Sequence, residues 1–261
     1  KLMIPIANLN NMESILDFAT LIKSKKSPHP INVVSVVADN KQAEQNMATA
    51  RKNLDNTAKY ASGSETEVEV MTTVDINIAS GISTSAREIM ADCLILGWPQ
   101  ESGFIEKIVG EKTESILNRT DANLFMCRFD KPFVSHKSII CFVPPLAESE
   151  LGFDYWMEKI LKLAQELSIS LKFVCNAHSQ IALQRYLEEE SSSVPTTFDN
   201  YEEWDNVYGL SSFTDESSLL AFVSSRSGEV SYRDSLDGLA KRIGRFFKEQ
   251  NLILIFPSRL P

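Results

Sequence analysis

Backbone amides in a glycine-bearing loop that opens a helix can hold a phosphate. In this chain the residue types and spacing for that chemistry occur at Gly97-Trp98-Pro99-Gln100-Glu101-Ser102-Gly103, then Phe104 to Val109, then Gly110-Glu111. Neither GxxxxGK(S/T) nor GxGxxG is present, so the P-loop and dinucleotide fingerprints are excluded. A second loop, Ser224 to Tyr232, holds one glycine; its Arg226 among hydroxyls could hold an anion, or its serines form a turn capping the helix that follows. His29, His136 and His178 have no i, i+4 partner and no Ser or Cys placed for a triad, so they are expected at the surface and no catalytic residue is assigned. Asp199, Glu202, Glu203 and Asp205 lack the EF-hand glycine and read as a solvated acidic face, which leaves no metal site. Tyr201, Trp204, Tyr208 and Phe213, set among those acids, form either a protein contact surface or, the reading preferred here, the core side of a short irregular helix. Cys93, Cys127, Cys141 and Cys175 each sit in an apolar run without CxxC spacing, which predicts reduced core thiols and a cytoplasmic chain.

The elements that must position these loops alternate along the chain. Leu2 to Ile6 is a short apolar strand, and Met12 to Lys26 carries apolar residues at helical spacing. INVVSVVA at Ile31 to Ala38 is β-branched and reads as a buried strand. Lys41 to Tyr60 is helix-prone, and Glu67 to Thr73 alternates as a half-exposed strand near a sheet edge. Ile76 to Met90 is a third helix, and Cys93 to Leu96 is a buried strand ending at Gly97. A helix through about Thr120 and the run Asn123 to Cys127 complete the half. The pattern restarts with a strand at Ser138 to Val143, a helix at Phe153 to Leu167 and a strand at Ile169 to Cys175. It weakens over residues 188–218 and resumes with strands at Leu219 to Val223 and Leu252 to Phe256. A helix over Leu236 to Gln250, with Leu239, Ile243, Phe246 and Phe247 on one face, lies between those two strands. Such alternation predicts an α/β protein of two tandem open parallel five-stranded sheets with helices on both faces, as domains 1–131 and 132–261. Ligands in such sheets bind beyond the carboxyl ends of the strands, where strand order reverses.

The 261 residues include 26 Lys+Arg and 35 Asp+Glu, a net charge of -9, which argues against nucleic acid as a partner. The imbalance is local. Nine acids and no base lie between Arg185 and Arg226, and the rest of the chain is balanced, so that stretch is expected to be diverged, partner-facing or mobile. No apolar run is long enough to span a bilayer, and the chain itself is expected to be soluble. Its first residue, Lys1, opens directly into a strand, which suggests a piece of a longer polypeptide.

A duplicated five-stranded unit with a glycine-bearing loop after strand four resembles the universal stress protein family, with its adenine nucleotide alpha hydrolase-like fold. Members that bind ATP place after that strand a glycine, two residues, a second glycine, nine residues, then glycine and Ser or Thr. Against that pattern Gly97 and Gly110 match, while Gln100 and Glu111 depart, and Ala7 stands where an acidic residue near adenine is implied. Gly103 offers a shifted glycine. The Glu111 carboxylate would lie at the helix start where an anion should dock. A like charge about 4 Å from a phosphate costs about 1 kcal/mol in water and about 4 at an effective dielectric of 20. Lys107 and Lys112 would compensate only in part.

KLMIPIANLNN and SSRSGEVSYRDSLDGLAKRIGRFFKEQNLILIFPS are similar to the tandem stress-protein-like region at the cytoplasmic C-terminus of bacterial cation/proton antiporters, typically sodium/proton exchangers. That resemblance implies a non-catalytic regulatory domain with no cofactor, on the cytoplasmic side of the inner membrane. Its partner would be the membrane transport domain of the same polypeptide. The family also implies a homodimer or intramolecular domain pairing through the last strands, 123–127 and 252–256. The alternative is a free-standing tandem stress protein that binds ATP or AMP through Gly97, Gly103 and Gly110. A nucleotide-dependent enzyme is a third class, with no nucleophile, base or metal set to assign.

Overall fold

The computed structural model describes residues 1–6, 12–61, 63, 66–98 and 114–259. The chain forms two compact units, Lys1–Phe125 and Met126–Pro261. Among the described residues ten strands are present, and they do not separate into two sheets of five. In the first unit the strands pair in the order β3 (Val68–Asp75), β2 (Ile31–Ala38), β1 (Leu2–Ile6), β4 (Cys93–Gly97), β5 (Asn123–Arg128), and in the second in the order β10 (Leu252–Phe256), β9 (Ser218–Val223), β6 (Ser138–Phe142), β7 (Ser170–Cys175), β8 (Thr196–Asn200); the boundary between the units falls within β5. Each unit is described by itself.

In the first unit β1 (Leu2–Ile6), α1 (Met12–Ile22), β2 (Ile31–Ala38), α2 (Ala43–Ala61), β3 (Val68–Asp75), α3 (Ile78–Ile89), β4 (Cys93–Gly97), a helical stretch α4 at residues 114–119, and β5 (Asn123–Arg128) follow one another. Every residue of β2 but Ala38 is buried, as a β-branched strand covered on both faces requires. β1 lies parallel to β2, with Ile4 opposite Val33, and parallel to β4, with Met3 opposite Leu94. β3 is the edge strand and is half-exposed throughout, the expectation from its alternating sequence. Asn77 caps α3 by accepting from the Ser80 amide at 2.9 Å, and Gly81 lets the helix sit on the sheet. A Cβ at position 81 would stand 2.4 Å from Val36 Cγ1 and 3.0 Å from Asp75 Cβ.

The second unit repeats the strand order with β6 (Ser138–Phe142), α5 (Phe153–Leu167), β7 (Ser170–Cys175), α6 (Ala177–Glu189), β8 (Thr196–Asn200), β9 (Ser218–Val223), α7 (Leu239–Phe246) and β10 (Leu252–Phe256). The central pair β6 and β9 is parallel; Phe142 stacks on Phe222 at 4.5 Å and the Ser138 and Ser218 hydroxyls meet at 2.8 Å. α5 buries Phe153, Trp156, Met157, Ile160, Leu161 and Ala164, one apolar face at 3.6-residue spacing.

The acidic stretch is built rather than structureless. β8 pairs in parallel with β7, and a 3-10 segment at Val207–Phe213 buries Val207 and Leu210 beside buried Trp204. Tyr208 departs from the expected core face and is 49% exposed. The last helix is shorter than its periodicity implies, and Phe246 is likewise 49% exposed.

His136 corrects the expectation of surface histidines, being buried with its Nε2 2.8 Å from Asn251 Nδ2. Asn251 also accepts from the amides of Asp130 and Lys131 at 2.8 and 3.0 Å and donates to the Lys131 carbonyl at 2.8 Å. An amide nitrogen can only donate, so the imidazole nitrogen facing it must be the unprotonated one. Burial accordingly holds the His136 pKa below its ordinary value. His29 and His178 are exposed as expected, and the four cysteines are buried thiols outside any disulfide.

Candidate functional site

Strand order reverses between β1 and β4 in the first unit and between β6 and β9 in the second. The crevices beyond the carboxyl ends of those strands are where an open parallel sheet accepts a ligand.

In the first unit the structure places Gly97 at the end of β4, where a Cβ would come within 3.1 Å of Ile15 Cδ1 on α1. Gly103 and Gly110 lie outside the described residues, as do Ala7, Gln100, Lys107, Glu111 and Lys112.

The second unit shows its crevice in full. After β6, Leu146 turns through φ 68 and a 3-10 turn at Ala147–Ser149 carries Glu148 toward the start of α6. Glu148 Oε2 accepts from the Ser179 hydroxyl at 2.7 Å, and Glu202 Oε1 accepts from the Ala177 amide at 3.4 Å, so the first turn of α6 faces two carboxylates. Burial first, and then these two charges, push the neighbouring Cys175 thiol up to about 12.

Glu150 lies two residues further on and is 6% exposed. Its Oε1 accepts from the Ser225 hydroxyl at 2.7 Å and from the Ser231 hydroxyl, both on the loop that follows β9. Burial raises the Glu150 pKa, and the two hydroxyls oppose that rise. The serines therefore do not cap the next helix. They hold an internal carboxylate in the loop that corresponds to the phosphate loop of the first unit. Arg226, the residue of this loop that could have held an anion, is buried and donates from Nε to the Pro257 carbonyl at 3.2 Å. Arg259 braces the same loop through Glu229 at 3.2 Å and the Ser227 carbonyl at 3.1 Å. The Ser224 hydroxyl and Glu148 Oε1 are buried without a hydrogen-bond partner.

Around Ser179 the hydrogen bonds do not have the order of an activated serine. The carboxylate of Glu148, rather than an imidazole, holds the Ser179 hydroxyl, and His178 Nε2 stands 3.8 Å away on the other carboxylate oxygen. A serine activated for attack needs the base between itself and the acid. Among the described residues no group of three or more His, Cys, Asp or Glu is placed to hold a metal.

Solved structures share this architecture across nearly the whole chain. A universal stress protein from Archaeoglobus fulgidus superposes with a TM-score of 0.67 at 11% identity, over 98% of this chain and 96% of that one. The fold is that of the universal stress proteins. The same fold relates the chain to the cytoplasmic domain of a prokaryotic cation chloride cotransporter, with a TM-score of 0.60, 13% identity and coverage of 99% and 96%. A protein of unknown function from Pseudomonas aeruginosa matches with a TM-score of 0.61 at 10% identity, covering 98% and 92%. No protein-family model matches the sequence, and neither does any curated protein. Within the universal stress protein fold the carboxyl-end crevice of the second unit holds Glu148 and Glu150. Neither stood out in the sequence, where the available signal was two acids closely following the Pro144-Pro145 strand end.

Proposed function

We propose that this chain is a non-catalytic regulatory region of a bacterial cation/proton antiporter, of the sodium/proton kind. It acts on the cytoplasmic side of the inner membrane through the transport domain of the same polypeptide. The observation that carries this reading is the second-unit crevice, where Glu150 occupies the hydroxyls of Ser225 and Ser231 that an anionic ligand would need. A phosphate entering there would meet a buried carboxylate and find its donors already taken. The departures at Gln100 and Glu111 point the same way for the first unit, and both domains then serve as a scaffold without a cofactor. The likeness to a cotransporter's cytoplasmic domain, end to end, supports the placement beside a membrane transporter. Among the described residues no helix is long and apolar enough to cross a membrane, so transport itself is assigned to the partner domain.

The test is cation-dependent proton flux in membrane vesicles carrying the whole polypeptide, with and without residues 1–261. A changed pH or ion dependence with transport retained supports regulation. Unchanged flux, or a reading frame without upstream membrane spans, overturns it.

A further inference from the structure

Between Asp237 and Glu249 this acidic chain carries no acid, yet Lys241, Arg242, Arg245 and Lys248 fall within eight residues. Folding alone disfavours that placement. Lys241 and Arg242 stand in the first turn of α7, where the helix dipole repels cations, and only Arg245 stands in the last. Lys241 with Arg245 is a like-charge i, i+4 pair on α7, and Arg242 with Arg245 is an i, i+3 pair. Beside them lies an open cleft of about 290 Å³ lined by Tyr208, Lys241, Arg242, Arg245 and Phe246, with no carboxylate in its wall. Its two rings lie 5.4 Å apart, each half exposed. Arg242 is held from behind by the Ser235 and Asp237 carbonyls, which orient the guanidinium without neutralising it.

Cations that orient a cleft toward negative charge, flanked by aromatic rings left in water, match an interface with phosphate headgroups, where rings settle at headgroup depth and basic side chains meet the phosphates. We propose that this cleft docks α7 and the Tyr208 segment onto an anionic phospholipid surface. The inference does not rest on the transporter reading, and vesicle binding and transport are read separately.

The test is co-sedimentation of the whole chain with vesicles of phosphatidylcholine alone and of phosphatidylcholine containing 30% phosphatidylglycerol. Each basic side chain at such a surface is worth roughly a fivefold gain in partitioning. The expected result is preferential binding to the anionic vesicles by at least about tenfold, weakened by salt. The double variant Lys241→Glu/Arg245→Glu should lose at least about tenfold, and Phe246→Ala should bind several-fold less, both with unchanged melting. Equal binding to the two vesicle types, or a double variant that binds as wild type, overturns the proposal. Saturable binding of glycerol 1-phosphate without vesicle binding also overturns it, by identifying a soluble phosphate ester as the ligand.

Discussion

Ser225→Ala removes one of the two hydroxyls that hold Glu150, and the cost should depend on pH in a direction the structure dictates. Glu150 is buried, so its folded pKa lies above the ordinary value of 4.5, and the folded state keeps its proton longer than the unfolded chain does. Stability therefore falls as pH rises from 4.5 through the raised folded value, and is level above it. The Ser225 hydroxyl favours the ionised form, so its loss raises the folded pKa further and widens that fall. At pH 8 the variant gives up a hydrogen bond to a charged acceptor, about 1.5–3 kcal/mol; at pH 4, with the carboxyl neutral, about 0.5–1.5 kcal/mol. Urea titration followed by tryptophan fluorescence in a Trp98→Phe background reports on this unit, because the other two tryptophans, Trp156 and Trp204, are both buried in it. Ser231→Ala should behave alike, and the double variant should be non-additive because both hydroxyls share one oxygen. A loss equal at the two pH values, or below about 0.5 kcal/mol at pH 8, would refute the argument that Glu150 is an ionised internal ligand.

Three further outcomes are expected. His136 has its folded pKa lowered from 6.5, so its contribution is complete above pH 6.5 and is lost as pH falls through the depressed folded value; His136→Leu should remove that acid sensitivity in urea titrations. Gly81→Ala should destabilise the first unit by about 1–2 kcal/mol despite its better helix propensity, because the added Cβ meets Val36 and Asp75; Val36→Ala should recover part of the loss, read by circular dichroism. Deleting residues 191–216 removes β8 and the buried Trp204 and Leu210, and should leave hydrogen exchange in β1 and β2 unchanged; loss of protection there would show that the first unit does not fold by itself.

What the sequence made legible and what it hid differ for physical reasons. β2 and α5 could be read because one is a β-branched run buried on both faces and the other a clean 3.6-residue stripe. β8, TTFDN, could not be read: it pairs along one side only and buries little, so nothing forces an apolar pattern on it. The last helix is shorter than its sequence pattern because a turn sets its start and a distant arginine its end. Gly238 turns through φ 61 before it, and Arg128 gathers the Gly244, Phe247 and Gln250 carbonyls after it. The site was hidden for the same reason. Ser225 and Ser231 lie 75 and 81 residues from Glu150 and meet it only because β6 and β9 are neighbours. The loop itself was found, but what its hydroxyls hold was not.

The crevice of the second unit supplies its own negative charge. Calorimetric titration of the whole chain with ATP and with AMP tests this most directly. The account predicts no saturable heat with either nucleotide up to millimolar concentration. Saturable heat with one site per chain would contradict it and would restore the reading of a nucleotide-binding stress protein.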